Sequence, residues 1–286
     1  MLPAVTARGH ANRIINPRTK SRRFLFCSLR EVCYPGIMTF AFETIATLHS
    51  CFKEKFGIPR QPGLVPDARA VLALEPPYSR AENLQGLEVY SHLWLIYVFH
   101  AVVARPDKSS VRPPRLGGNR RVGVFASRSN FRPNPIGLSV CELERIEIGN
   151  GHGVLHLSGV DILDQTPVLD IKPYLPYADA LPQAKAGWAA NPPAVRCGVH
   201  FSAAAEAVLE ALPSGERQNL QRLIGQVLSL DPRPAYRRQD DRRTCYGMRL
   251  ACWDVRWEVR TDAVEVKTLI PVREGCTAAG ITPGPR

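Results

Sequence analysis

Apolar and polar positions follow no period through the first 37 residues, and a regular texture begins only after them. From Phe40 to Ile171 short apolar or alternating runs are cut by Pro and Gly: Phe40 to Leu48, Val71 to Leu74, Leu93 to Val103, Arg121 to Ala126, Leu138 to Ile148 and Val154 to Leu163. Their Val, Ile, Phe, Tyr and Trp content predicts strands. No long amphipathic helices alternate with these runs, which disfavours a doubly wound parallel sheet and favours an antiparallel β-barrel. Pro173 to Pro193, with five prolines, reads as a connector. Beyond it, Ser202 is placed to cap a helix over Ala203 to Leu212, and Pro213-Ser214-Gly215 turns the chain. A second helix, Glu216 to Leu230, carries Leu220, Leu223, Ile224, Val227 and Leu228 on one stripe and stops at Asp231-Pro232. Met248 to Val259 and Ala263 to Ile270 alternate as a closing hairpin. The expected fold is mainly β: a disordered extension over 1–37, an antiparallel barrel over 38–185 and a smaller α+β domain over 194–272.

The segment Gly123 to Gly137, GVFASRSNFRPNPIG, stands apart from this texture. Pro133 and Pro135 fix their own φ and push Arg132 and Asn134 towards extended geometry, so a helix is excluded. Arg128 and Arg132 leave this rigid loop as planar donor forks suited to carboxylate or phosphate, and the Asn134 amide can read a base edge or cap a turn. A surface turn with two solvated arginines is the plainer alternative.

Charge changes the picture once its location is considered. The formal net charge of +11 suggests a polyanionic partner. More than half of it sits in residues 1–37, which hold seven basic residues and one acid. That stretch reads as a translated tail, as sequence upstream of a start at Met38, or as an Arg-rich, acid-poor transit peptide. No run reaches the roughly 18 apolar residues of a membrane span. Eight cysteines show no CxxC pair, so a structural metal is not expected and reduced cytosolic thiols are.

The order Gly-Val-Phe-Ala-x-Arg-Ser-x-x-Arg-Pro-Asn-Pro-Ile-Gly resembles the signature of the TsaA/TrmO family, S-adenosylmethionine-dependent tRNA methyltransferases built on a β-barrel. The resemblance continues through Lys53 to Gly63 (KEKFGIPRQPG), Gly86 to His100 (GLEVYSHLWLIYVFH), Val111 to Gly118 (VRPPRLGG), Val168 to Tyr177 (VLDIKPYLPY) and Asp231 to Arg237 (DPRPAYR). It spans about Phe40 to Leu269. It implies methyl transfer from S-adenosylmethionine to N6 of N6-threonylcarbamoyladenosine beside the anticodon of threonine tRNA. The implied partners are the tRNA anticodon stem-loop and a second copy of the chain, in the cytoplasm, with no membrane and no metal. The chain has no Gly-rich strand-to-helix turn, so its cofactor site is not of the Rossmann kind.

Carried over motif by motif, the resemblance places the cofactor against Arg60, Gln61 and Pro62, His100 and Ala101, Arg128, Leu138, and the run Asp161-Ile162-Leu163-Asp164. Arg60 could meet the methionine carboxylate, Leu138 could pack on the adenine, and the two aspartates suit ribose hydroxyls, an ammonium or a sulfonium. Each has a plainer reading: a Pro-rich turn, a structural histidine ending an apolar strand, a solvated Asp turn. On the RNA side Arg132 and Asn134 can meet phosphate, the threonyl carboxylate or a base edge, and Arg233, Tyr236 and Arg237 can form a rigid turn with a stacking tyrosine. Arg112, Arg115, Arg120 and Arg121 add basic character around Pro- and Gly-rich loops. The acceptor nitrogen has a poor lone pair, so a proton acceptor is needed, and Asp161, Asp170, His92 and Tyr177 all qualify by type. Two other functions stay open: a non-catalytic RNA-binding barrel, and a methyltransferase of this fold with another acceptor.

Overall fold

Six strands close into an antiparallel barrel in the order β1-β2-β7-β6-β3-β8. The structure, a computed structural model, describes residues 39–102, 108–117, 119–149, 152–191, 193, 197–233, 244–260 and 263–272. The expected extension over 1–37 therefore lies outside the described residues. The barrel strands are β1 (Ala46–Ser50), β2 (Ala70–Leu74), β3 (His92–Val98), β6 (Ile136–Gly149), β7 (His152–Ser158) and β8 (Thr166–Pro173). A two-stranded ribbon of β4 (Ser110–Val111) and β5 (Val122–Gly123) hangs between β3 and β6, and a single-turn helix α1 (Ala81–Leu84) precedes β3.

Alternation explains the closure. In β1 and β3 every second side chain is buried, and Ala46, Leu48, Leu93 and Leu95 lose all solvent contact. Because neighbouring barrel strands are antiparallel, β1, β3 and β7 all finish at the same end. The loops that leave them, 51–69, 99–135 and 159–165, are therefore gathered at one mouth. These loops contain the IPRQPG turn, the proline-rich signature and the Asp161–Asp164 run, which lie far apart in sequence.

The first expected strand begins late, since Phe40 and Phe42 are 69% and 70% exposed and pairing starts only at Ala46. Strand β8 went unread because Pro167, Pro173, Asp170 and Lys172 interrupt its apolar run, yet it is needed to join β3 to β1. The described residues of the connector include a short helix, α2 (Pro176–Asp179), and a 3-10 turn at Gly187–Ala189. Beyond it, β10 (Cys245–Leu250), β11 (Trp253–Val259) and β12 (Ala263–Pro271) form a meander joined in parallel by β9 (Gly198–Phe201). The expected hairpin is thus three strands. Ala251 turns the chain at φ 52°, and no Gly, Pro or Asn marks that turn in the sequence.

Helix α3 (Ala203–Glu210) is capped by the Ser202 hydroxyl, which accepts from the Ala205 amide. Helix α4 (Ser214–Ser229) buries the stripe Leu220, Leu223, Ile224, Val227 and Leu228. Described residues from Phe42 onward form one compact unit with a continuous apolar core. Several bonds join the 51–69 loop to the C-terminal elements. The Ala251 amide donates to the Cys51 carbonyl at 2.7 Å, Gln226 donates to Asp67 at 2.5 Å, and the Arg249 amide donates to Glu54 at 3.0 Å. Cys51 and Cys141 are buried thiols, whereas Cys252 is disulfide-bonded. That differs at Cys252 from the expectation of reduced thiols, which rested on the lack of a convincing secretory signal and on a chain large enough not to need disulfides.

Candidate active site

A groove of about 1420 Å³ occupies the barrel mouth where the three loops meet. Its walls include Arg60 and Gln61 from the first loop, His100 and Ala101 after β3, Arg128 and Arg132 from the signature, Leu138 on β6, and Asp161, Ile162 and Leu163 after β7. Pro62, Asn134 and Asp164 are not among its lining residues. Arg233 also lies elsewhere, and Tyr236 and Arg237 lie outside the described residues.

The floor is a chain of polar contacts set into apolar strand ends. Arg128 Nη1 donates to Gln61 Oε1 at 2.7 Å, joining the signature to the IPRQPG turn. Ser139 Oγ donates to Asp161 Oδ1 at 2.6 Å, and the Tyr97 hydroxyl lies 3.3 Å from the same Ser139 oxygen. Burial pushes the Asp161 carboxyl up to about 6, against the opposing pull of the Ser139 hydrogen bond, its own amide and the Arg128 charge. Tyr97 is pushed upward too, first by burial and then by the Asp161 charge. Gly137 makes this floor possible, because a Cβ there would sit 2.3 Å from the Tyr97 ring. The last glycine of the signature is therefore a matter of space, not of turn conformation.

At the edge of the floor His100 Nδ1 lies 3.3 Å from Thr166 Oγ1, whose own proton goes to the Leu163 carbonyl at 2.6 Å. Burial lowers the His100 pKa, partly offset by the Asp164 charge, while the charge of Lys55 lowers it further. Asp164 faces the end of β1, accepting from the Ser50 amide at 2.9 Å and pairing with Lys53 at 3.0 Å. Its carboxylate ties the Asp161–Asp164 run to β1. The two aspartates, equivalent in the sequence, thus occupy different surroundings.

Arg132 and Arg233 are both turned inward on the protein. Arg132 Nη1 donates to the Ser127 and Ser129 carbonyls, each at 3.1 Å, and braces the signature loop from within. Arg233 forms a two-point pair with Asp231 at 2.8 and 3.1 Å, and Asp231 itself is buried with φ 51°. Sequence reasoning missed a set of rim residues. Phe125 is 80% exposed, Phe131 has Lys108 Nζ 4.3 Å above its ring, and Trp188 donates to the Ala126 carbonyl at 3.3 Å. All three line the groove, alongside the exposed Arg112, Arg115 and Arg121. The signal was present in the signature's two phenylalanines, which the neighbouring Arg128 and Arg132 overshadowed.

The model for the tRNA-methyltransferase O N-terminal domain matches residues 47–180, and that for the TrmO C-terminal domain matches residues 194–272. The chain belongs to the TrmO family. The tRNA (adenine(37)-N6)-methyltransferase of Escherichia coli is 46% identical over 233 residues, covering 82% of this chain and 99% of that relative. A Pseudomonas aeruginosa relative, provisionally named an S-adenosylmethionine-dependent methyltransferase, is 48% identical over 232 residues, or 80% of this chain and 97% of that one. The crystal structure of TrmO from Pseudomonas aeruginosa superposes with a TM-score of 0.68 at 41% identity, covering 83% of this chain and all of that one. The barrel and the smaller C-terminal sheet are thus those of a TrmO fold.

Proposed function

We propose that this chain methylates N6 of N6-threonylcarbamoyladenosine beside the anticodon of threonine tRNA, with S-adenosylmethionine as methyl donor. The observation that carries this reading is a groove in which Arg128, Gln61 and Asp161 converge from three loops, in a chain whose match to the Escherichia coli tRNA (adenine(37)-N6)-methyltransferase covers 82% of this chain and 99% of that relative. The donor set fits the cofactor: a guanidinium for its carboxylate, a carboxylate for its positive groups, and exposed Leu138 beside them for an adenine face. Arg60, Gln61, His100, Ala101, Arg128, Leu138, Asp161, Ile162 and Leu163 hold it directly. Pro62 and Asp164 shape and anchor the loops behind them.

When bound, the cofactor supplies an already activated methyl group, so the protein's task is alignment and proton removal. The rim suits a splayed anticodon loop, since Phe125, Phe131 and Trp188 offer stacking faces among cations. Arg132 and Asn134 support that surface from the loop's interior, and Tyr236 and Arg237, which lie outside the described residues, supply a second contact. No described helix is long and apolar enough to cross a membrane, and a tRNA partner places the work in the cytoplasm. Val89, Tyr177 and Leu181, each more than 70% exposed, support assembly as a homodimer.

The test is nucleoside mass spectrometry of threonine tRNA after incubation with labelled S-adenosylmethionine, with and without the threonylcarbamoyl group. Label on N6 only in the modified tRNA is expected. Cofactor binding without label would assign another acceptor, and neither binding nor label would leave an RNA-binding barrel.

A further inference from the structure

Methylation of an amide-like nitrogen leaves one piece of chemistry unassigned, the fate of its proton. Four groups qualify by residue type, and the structure separates them. His92 Nδ1 lies 2.9 Å from the Ser91 hydroxyl, Asp170 pairs with Lys172 at 2.8 Å, and Tyr177 is 87% exposed on α2; none lines the groove. Asp161 does. It is also the one whose carboxylate is fixed by a buried side-chain hydroxyl, Ser139, that is itself in contact with a second buried hydroxyl, Tyr97.

Resting on the functional reading above, we propose that Asp161 takes the proton from the acceptor nitrogen and that Ser139 and Tyr97 are positioning residues that hold its carboxylate for that task. The atoms balance simply. The nitrogen lone pair forms the new bond to the methyl carbon while the carbon–sulfur electrons remain on the departing thioether. The N–H electrons return to nitrogen, and the proton goes to the Asp161 carboxylate and then through the groove to solvent. Ser139 donates to Oδ1, which holds the carboxylate from the barrel side while Asp161 lines the groove.

The charged and titratable groups around Asp161 act in both directions. Arg128 from the signature loop favours its ionised form, whereas Tyr97 on β3 and Cys141 on β6 are buried beside it and are themselves pushed upward by its charge. Burial is the larger influence and makes Asp161 a stronger base than a surface carboxylate, while leaving it ionised at neutral pH. Removing the Ser139 donor removes a stabiliser of the ionised form. The sign is therefore fixed: Ser139→Ala moves the titration of Asp161 upward.

Two measurements test this. The first is carbon-13 NMR of aspartate carboxyls in the protein without cofactor, with the Asp161 signal identified by its loss in Asp161→Asn. The second is the pH dependence of single-turnover methyl transfer to threonylcarbamoylated tRNA. The acidic limb of the rate and the NMR titration of Asp161 should both move upward in Ser139→Ala. Asp161→Asn should lower the rate about 10²- to 10⁴-fold, measured at saturating S-adenosylmethionine so that weaker cofactor binding does not enter the rate. His100, the imidazole among the described lining residues of the groove, is the control: His100→Gln should leave the limb in place. A limb unmoved in Ser139→Ala, or lost in His100→Gln and kept in Asp161→Asn, overturns the assignment. A wild-type protein that transfers no methyl group overturns the functional reading instead, and this proposal with it.

Discussion

The floor and the rim of the groove are built from the same loops, yet their polar groups are spent differently. In the floor the side chains are tied to one another: Arg128 to Gln61, Asp161 to Ser139, and Ser139 to Tyr97. On the rim the aromatic faces of Phe125, Phe131 and Trp188 remain open to solvent beside exposed arginines. A pre-organised floor suits a small charged ligand that must be held in one pose, because the ordering of the side chains has been completed during folding. An open rim suits a large, variable polyanion that brings its own bases to stack. The arginines teach the same lesson. Arg128 and Arg132 leave one rigid loop four residues apart, but one faces the groove floor while the other ties the loop to itself through two carbonyls.

Gly137→Ala should break the floor most severely. The added methyl meets the buried Tyr97 ring at 2.3 Å, and the ring cannot move without releasing Ser139. We expect a loss of about 3 kcal/mol in thermal or denaturant unfolding, with no comparable effect from an alanine at exposed Gly123, where a Cβ meets nothing. Asp161→Asn sharpens the comparison in the opposite direction. Its folded pKa of about 6 lies above the ordinary 3.8, so the fold favours the protonated carboxyl. Its contribution to stability is full below about pH 4 and is lost as pH rises through 6. The asparagine variant should therefore match wild type at pH 4 and gain about 2 kcal/mol at pH 8, read as a difference between melting temperatures at the two values. On the rim, Phe125→Ala should raise the KM for tRNA roughly five- to tenfold, about 1 kcal/mol for one lost stacking face, with unchanged S-adenosylmethionine affinity and unchanged melting.

The barrel was legible because its strands alternate and because Pro and Gly punctuate them. Its closure was less so, since β8 carries Asp170, Lys172 and two prolines in place of an apolar run. The bend at Ala251 merged two strands into one for a similar reason: a positive φ at alanine has no signal in the sequence. The residues gathered at the mouth were legible from motif resemblance, and topology supplies the reason they meet, since β1, β3 and β7 end together. Ser139 and Tyr97 were not legible at all. A serine and a tyrosine on apolar strands look like ordinary barrel positions, and their link to Asp161 exists only after β3, β6 and the loop after β7 have been brought side by side. The opposite surroundings of Asp161 and Asp164 were hidden for the same reason, because Lys53 and the Ser50 amide reach the second aspartate through the end of β1.

The division between floor and rim stands or falls with Arg128. Calorimetric titration of S-adenosylmethionine into wild type, Arg128→Ala and Phe125→Ala is the most direct measurement. The account predicts no detectable cofactor binding to Arg128→Ala, full binding to Phe125→Ala, and melting curves for both that match wild type. Wild-type affinity in a folded Arg128→Ala protein would contradict it and move the cofactor out of this floor.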